Sequence, residues 1–218
     1  MEHIRAVIFD LDDTLVNRKA AFRNFCVSFI EEHFEGRELP DSRENMIGYM
    51  TLLDRNGYCD RTAFYSPLIE KWGMKNRTVK QLCDNHENEF HKFTLPDADM
   101  EKVLDYLAPK YKLGIITNGV SKTQNGKIDR VGIRDRFRSV IVSGEAGVHK
   151  PDGRIFRMSC SALGVKAGEA IYVGDHYEND ISGAKRAGLY TVWYTDDPGN
   201  PPYCDYKINR LSEILNIL

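Results

Sequence analysis

Five short apolar segments recur along the chain, and each of them ends in small or polar residues. They occupy residues 6–9, 113–116, 140–142, 171–173 and 191–194. Continuous runs of branched apolar side chains are typical of parallel strands whose two faces are both covered by helices. The sequence therefore predicts a buried parallel sheet as the frame of the fold.

Helical patterns separate these segments, at residues 100–107, 154–163 and 179–187. An alternation of strands and helices predicts an α/β fold with a doubly wound, Rossmann-like parallel sheet. Such sheets bind their ligands beyond the carboxyl ends of the strands. The polar residues expected at that edge are Asp10, Thr117 and Asp175.

Residues 17–93 interrupt the alternation, because they contain no comparable apolar run. Their apolar residues recur at helical spacing instead, most clearly over residues 20–34. We therefore predict a helical cap domain at 17–93, inserted into an α/β core formed by 1–16 and 94–218.

Charge and composition exclude several classes of partner. The net charge is −2, so the chain has no global basic field to hold nucleic acid. No apolar run approaches the roughly 20 residues of a membrane helix, and the N-terminal residues do not resemble a signal peptide. The five cysteines are odd in number and form no C-x-x-C pair, which favours reduced thiols. We expect a cytoplasmic protein that binds neither nucleic acid nor membranes.

Carboxylates cluster after the first and fourth apolar segments. Three of them occur in the sequence Asp-Leu-Asp-Asp-Thr at 10–14, and Asp175 and Asp180 follow the later segment. Taken singly, these are acidic turns or favourable charges at a helix start. Taken together, they supply the oxygen ligands that a hard cation needs.

Two further motifs fall at the same predicted edge. Thr117, Asn118 and Gly119 follow the second segment, where a hydroxyl and backbone N–H groups can hold an anion. The alternative for Thr117 is an ordinary helix N-cap. Lys150 could hold a phosphate and balance the carboxylates, although a lysine in a loop is more often solvated.

The ordered set of motifs resembles the haloacid dehalogenase (HAD) superfamily. That set is Asp-x-Asp-x-Thr, then Thr, then Lys-Pro, then Gly-Asp-x-x-x-x-Asp. It is similar to the subfamily I phosphatases, which carry a helical cap after the first strand. The resemblance covers residues 4–18 and 95–218, and the cap matches only in position, length and helical character. It also implies the strand order 5-4-1-2-3.

The resemblance implies a catalytic role for several residues. Asp10 would be the nucleophile that becomes an aspartyl-phosphate, and Asp12 the general acid and base. Lys150 would stabilise the transferring phosphoryl group. The residues expected to bind the phosphate are Thr117, Asn118, Gly119 and Lys150.

A magnesium site is implied by the same resemblance. Mg²⁺ would be held by Asp10, by the backbone carbonyl of Asp12 and by Asp175. Asp180 would support the metal directly or through water. The chemistry agrees, because clustered carboxylates repel one another unless a cation lies among them.

Residues 116–124 and 174–184 resemble the nucleotidase and sugar-phosphatase subgroup. We therefore predict that the substrate is a small phosphorylated metabolite, either a nucleotide or a sugar phosphate. The inserted cap is expected to close over the site and exclude water. The sequence indicates neither the individual substrate nor the oligomeric state.

Other functions remain open from the sequence alone. A haloacid dehalogenase would use the same nucleophile, but it has no alkoxide to protonate and needs no metal. A phosphomutase would use both Asp10 and Asp12. Outside enzymes of this type, the alternatives are a response-regulator-like signalling receiver and a non-catalytic binding protein.

Overall fold

The computed structural model describes residues 3–74, 76–199 and 201–218. The strands are β1 (Ala6–Phe9), β2 (Lys112–Thr117), β3 (Ser139–Val142), β4 (Ala170–Gly174), β5 (Tyr190–Tyr194) and β6 (Tyr206–Ile208). The α-helices are α1 (Arg18–Phe34), α2 (Arg43–Asp54), α3 (Arg61–Trp72), α4 (Val79–Glu89), α5 (Ala98–Leu107), α6 (Ser121–Arg130), α7 (Ser143–Ala146), α8 (Gly153–Leu163) and α9 (Gly183–Arg186).

The chain divides into two compact units. One is Met1–Asn17 with Leu95–Leu218, which we call the core, and the other is Arg18–Thr94, the helical unit. Each boundary between the units lies one residue from the predicted ranges 1–16, 94–218 and 17–93. Of those ranges, residues 1, 2, 75 and 200 lie outside the described part.

The core contains a parallel sheet with the strand order β3-β2-β1-β4-β5-β6. This confirms the predicted α/β fold, and read from the other edge it contains the order 5-4-1-2-3. The sixth strand, β6, extends the sheet beyond β5 and was not predicted. Its three residues are too short and too exposed to show an apolar run.

Alternate residues of each central strand face opposite layers of helices, because side chains in a strand alternate between its two faces. Val7 and Phe9 of β1 pack in a cluster with residues of α5 and α6. Ala6 and Ile8 pack in another cluster, with residues of α8 and α9. Both faces are therefore covered, which explains the uninterrupted apolar runs.

One predicted helix differs from the structure. Residues 179–187 were expected to form a regular helix, but Tyr177–Ser182 form a π-helical turn before α9. This wider turn places Asp180 with its side chain buried, 1% exposed. The irregular geometry thus occurs where an acidic side chain enters the interior.

Helices α1 to α4 form the helical unit around a core rich in aromatic side chains. Phe25 and Phe90, for example, pack with ring centroids 5.6 Å apart. A buried ion pair joins α1 to α2, where Arg18 lies 2.8 Å from Asp54. No helix in the described ranges has the length and apolar character needed to span a membrane.

Candidate active site

The carboxyl ends of β1, β2 and β4 lie side by side, because the three strands are parallel and in register. Phe9 pairs with Ile115 on one side and with Val173 on the other. The next residue of the chain, Asp10, is anchored by its backbone N–H, which donates to the carbonyl of Val173 at 2.9 Å. Parallel pairing therefore collects the strand-end residues at one edge.

Three carboxylates meet at this edge. Asp10, Asp175 and Asp180 each offer an oxygen, and these oxygens lie within 4.8 Å of one another. Burial raises the pKa of Asp175 to about 7, with a further rise from the neighbouring Asp180. Burial also raises the pKa of Asp10 well above its ordinary value, although Lys150 opposes the rise. Both shifts express the cost of crowding buried negative charges.

Lys150 lies among these carboxylates and is only 3% exposed. Its Nζ donates to Asp10 Oδ1 at 2.5 Å and to Asp180 Oδ1 at 2.7 Å. A third contact joins it to the hydroxyl of Tyr172 at 3.0 Å. Burial alone would lower the pKa of Lys150, but Asp10 and Asp180 together raise it. The lysine therefore remains a cation at the edge of the sheet.

The excess negative charge of this cluster favours binding of a divalent cation. Lys150 pairs with Asp10 and Asp180, and Asp175 lies beside them, so three carboxylates and one ammonium give a formal excess of two negative charges. Hard cations such as Mg²⁺ prefer carboxylate oxygens. The donor set and its excess charge both fit Mg²⁺, and the residues able to hold it are Asp10, Asp175 and Asp180.

Asp12 lies apart from that acidic group and has its own cation. Lys127 Nζ donates to both of its carboxylate oxygens at 2.7 Å. Gln124 Nε2 donates to Asp12 Oδ2 at 2.9 Å and to the hydroxyl of Thr117 at 2.5 Å. The clustered side chains do not include Asp12, and the metal role implied for its backbone carbonyl stays a prediction.

The loop after β2 is tied to two other parts of the core. The amide of Asn118 accepts from the backbone N–H of Lys150 at 2.9 Å and donates to its carbonyl at 3.0 Å. The N–H of Gly119 donates to Ser143 Oγ at 3.0 Å. Thr117 is 1% exposed at the end of the strand. The phosphate-binding roles of these residues stay predictions, and the structure shows Asn118 holding the backbone of Lys150.

A family model described as haloacid dehalogenase-like hydrolase matches residues 7–194. This match spans most of the chain and contains all of the site residues described in this subsection. The chain belongs to the haloacid dehalogenase-like hydrolase family. It is therefore a hydrolase in a family whose shared fold supports more than one chemistry.

Similar proteins in this family include two curated phosphatases. The glyceraldehyde 3-phosphate phosphatase of Methanopyrus kandleri is 32% identical over 99% of this chain and 97% of its own length. The N-acylneuraminate-9-phosphatase of Rattus norvegicus is 30% identical over 100% of this chain and 95% of its own length.

A solved structure of a HAD hydrolase shows the same fold. YfnB of Bacillus subtilis, bound to magnesium, matches with a TM-score of 0.76 at 22% identity. The match covers 98% of each chain.

Sequence reasoning missed several residues around the site. Gln124 and Lys127 occupy the inner face of α6, where Ile128 and Val131 continue the same helical spacing. Polar residues within an apolar helical stripe were the signal that could have identified them. Tyr172 gave no such signal, because it sits inside a continuous apolar strand. Trp193 was also missed, and its Nε1 donates to the backbone carbonyl of Asp175 at 2.8 Å.

Proposed function

We propose that this chain is a magnesium-dependent phosphatase that hydrolyses a small phosphomonoester through an aspartyl-phosphate on Asp10. The observation that carries the proposal is the group of three carboxylates at one edge of the sheet, of which Asp10 and Asp180 are buried and paired with Lys150. Such a group combines a nucleophile, a metal-binding set and a fixed cation.

In the first step, a carboxylate oxygen of Asp10 attacks phosphorus, and the bond from phosphorus to the ester oxygen breaks. The departing alkoxide takes a proton from Asp12, which acts as the general acid. The Lys150 ammonium already lies 2.5 Å from Asp10 Oδ1, so it is placed to neutralise charge on the transferring group.

In the second step, water attacks the phosphorus of the aspartyl-phosphate and gives a proton to Asp12. The bond between phosphorus and the Asp10 oxygen breaks, which releases inorganic phosphate and restores the carboxylate. Thr117 binds the phosphoryl oxygens through both steps, at the end of β2. Asp12 thus ends the cycle protonated, ready for the next leaving group.

Mg²⁺ fits the carboxylates of Asp10 and Asp175, and when bound it supplies positive charge that offsets repulsion between nucleophile and phosphate. Asp180 already accepts hydrogen bonds from Lys150, Tyr172 and the backbone of His176. These contacts favour support of the metal by Asp180 through water.

The substrate class follows from the relatives and from charge. Both curated relatives act on small phosphorylated compounds, a triose phosphate and a sugar-acid phosphate, according to their names. The net charge of −2 offers no broad basic surface for a polyanion. We therefore place sugar phosphates first and nucleotides second, with a cytoplasmic location as a remaining prediction.

Dehalogenation is the main competitor, since it uses an aspartate nucleophile on the same fold. Two features favour a phosphate ester over a haloacid as the substrate. A second carboxylate, Asp12, stands two residues from the nucleophile, and the excess negative charge around Asp10 fits a cation. A dehalogenase needs no general acid, because a halide leaves without a proton, and it needs no metal.

The test is a hydrolysis screen across phosphorylated metabolites and a 2-haloacid, with Mg²⁺ or with excess chelator. We expect phosphate release from sugar phosphates with Mg²⁺ only, and no halide release. A hydroxylamine-sensitive phosphoenzyme should form on the wild type and be absent in Asp10→Asn. Full activity in chelator, or turnover by Asp10→Asn, would contradict the mechanism.

Asp205→Asn is a suitable control for Asp10→Asn, because it also removes the charge of an aspartate in the core. Asp205 binds Lys185 and Thr191 near β5, away from the carboxylate cluster. Its replacement should lower stability while leaving Mg²⁺-dependent turnover in the folded fraction. A loss of turnover equal to that of Asp10→Asn would show that general damage to the core explains the result.

A further inference from the structure

Lys127 is a buried cation that none of the steps above uses. It lies in α6 and is only 2% exposed. Lysine is almost never fully buried unless it is paired, because an ammonium removed from water needs a counter-ion and hydrogen-bond acceptors. Its side chain therefore requires a partner inside the core.

That partner is the carboxylate of Asp12, 115 positions away in the chain. The ammonium contacts both carboxylate oxygens at 2.7 Å, so it restricts the rotation of the whole group. Gln124, one helical turn earlier, adds a bond to Asp12 Oδ2 at 2.9 Å. Two side chains from one face of α6 thus hold a carboxylate that belongs to the loop after β1.

The same helix also reaches the end of β2. Gln124 Nε2 donates to Thr117 Oγ1 at 2.5 Å. A Cβ on Gly119 would lie 2.9 Å from Gln124 Cγ, so the close approach of loop and glutamine depends on that glycine. The face of α6 formed by Gln124 and Lys127 therefore fixes Asp12 relative to Thr117.

We propose that Lys127 is a positioning residue, which orients the Asp12 carboxyl group for proton transfer to the leaving group. This inference rests on the proposed function. Lys127 and Gln124 together contact both oxygens of the Asp12 side chain, so the plane of the carboxyl group is fixed before a substrate binds. Lys127 itself is buried, and its ammonium is directed at the two oxygens of Asp12.

The experiment compares kcat and KM of Lys127→Met on an alkyl phosphate and on an aryl phosphate, whose leaving group needs less help from a proton. Loss of orientation should lower kcat for the alkyl phosphate by about tenfold or more and leave KM unchanged. The loss for the aryl phosphate should be about threefold or less. Lys127→Arg, which keeps the charge, should recover most of the alkyl rate.

A double mutant separates this role from a general effect. In an Asp12→Asn background, Lys127→Met should cause no further loss on the alkyl phosphate, because the group that it orients is already inactive. Equal losses on both leaving groups, or losses that multiply in the double mutant, would overturn the proposal. So would an unchanged alkyl rate in the single variant.

The control is Arg130→Met, which removes an exposed cation from the last residue of the same helix and should retain wild-type kinetics. Unfolding curves establish that each variant is folded. If Lys127→Met is not folded, Lys127→Gln replaces it, because the amide keeps a hydrogen-bond donor towards Asp12. The same comparison of alkyl and aryl phosphates then tests the proposal.

If the wild type hydrolyses no phosphomonoester, the proposed function is wrong and the role of Lys127 that rests on it is wrong as well. If only the Lys127 comparison fails, the proposed function stands.

Discussion

The charged residues at the carboxyl edge of the core sheet form two groups. Asp12 pairs with Lys127, whereas Lys150 pairs with Asp10 and Asp180 and acts on Asp175 through its charge. The first group is balanced and the second carries excess negative charge. Burial is the main cause of the raised pKa values of Asp10 and Asp175, and the neighbouring carboxylates add to it, so a divalent cation would relieve the excess negative charge.

We expect Mg²⁺ binding to depend on the proton of Asp175. Its pKa in the metal-free protein is about 7, above the value of roughly 3.9 for an unfolded chain. Below pH 7 the proton competes with the metal, so affinity should fall by up to about tenfold per pH unit. Calorimetric titration of Mg²⁺ between pH 5.5 and 8.5 measures this effect.

The raised pKa of Asp175 also makes the stability of the metal-free protein depend on pH, in the opposite direction to Mg²⁺ affinity. Between pH 4 and 7 the folded state binds more protons than the unfolded state, so the contribution of Asp175 weakens as pH rises. Added Mg²⁺ should restore stability most at the upper end of that window. Asp175→Asn should bind Mg²⁺ weakly and with a shallower pH dependence, because Asp10 still titrates with a raised pKa, and an unchanged dependence in this variant would contradict the assignment.

Asn118 is expected to act through Lys150. Asn118→Ala removes two hydrogen bonds to a largely buried backbone, which should cost about 1–3 kcal/mol of unfolding free energy. Because Lys150 is then less firmly placed, kcat should also fall by about tenfold or more. Asn45→Ala, which removes an exposed bond to Asp41 in the helical unit, should change neither quantity much. Wild-type kcat in Asn118→Ala would disprove the positioning role.

At the level of elements, the loop after β2 is packed against the start of α7. The N–H of Gly144 donates to the carbonyl of Gly119 at 3.1 Å, and Ser143 accepts from the N–H of Gly119. The loop that carries Thr117 is therefore positioned by backbone contacts with a segment that follows β3. These contacts require close approach, and only a residue without Cβ allows it here.

We therefore expect Gly144→Ala to disturb the site without adding charge or polarity. Its Cβ would lie 2.7 Å from the Gly119 carbonyl oxygen, a backbone atom that cannot move without shifting the loop. The cost should be about 1–3 kcal/mol, with a loss of kcat. Gly168→Ala, whose Cβ would meet nothing within 4 Å, is the matched control. Equal melting temperatures and rates for the two variants would refute the argument.

For the whole molecule, the described chain forms two compact units with separate apolar clusters. All of the carboxylates that fit a metal belong to the core. A ligand stabilises the state that binds it, by about 2.7 kcal/mol at a hundredfold excess over Kd. The two units should therefore respond differently to Mg²⁺, because only one of them holds the ligand set.

The sequence offers a reporter for each unit, because its two tryptophans are Trp72 in the helical unit and Trp193 in the core. In Trp72→Phe, fluorescence follows Trp193, and Mg²⁺ should raise the melting temperature that it reports. In Trp193→Phe, fluorescence follows Trp72, and the shift should be smaller at a Mg²⁺ concentration that saturates this variant, which lacks the Trp193 bond to the Asp175 carbonyl. Identical shifts in both variants would mean that the two units unfold together.

Much of the fold and the main acidic group followed from local sequence pattern. Continuous apolar runs predict buried parallel strands, and parallel pairing brings the residues after them to one edge whatever the details of packing. That is why Asp10 and Asp175 could be placed together from the sequence. Lys150 was placed at the same edge from the sequence, and the family resemblance added its role towards the transferring phosphoryl group.

Tertiary structure alone decided which partners the side chains take. Lys127 reaches Asp12 across 115 positions, and the Asn118 amide binds backbone 32 positions away. The turn at Tyr177–Ser182 and the short strand β6 likewise depend on their neighbours. The physical reason is that apolar burial follows a periodic pattern readable along the chain, whereas a buried polar group takes whichever partner the finished packing brings within hydrogen-bonding distance.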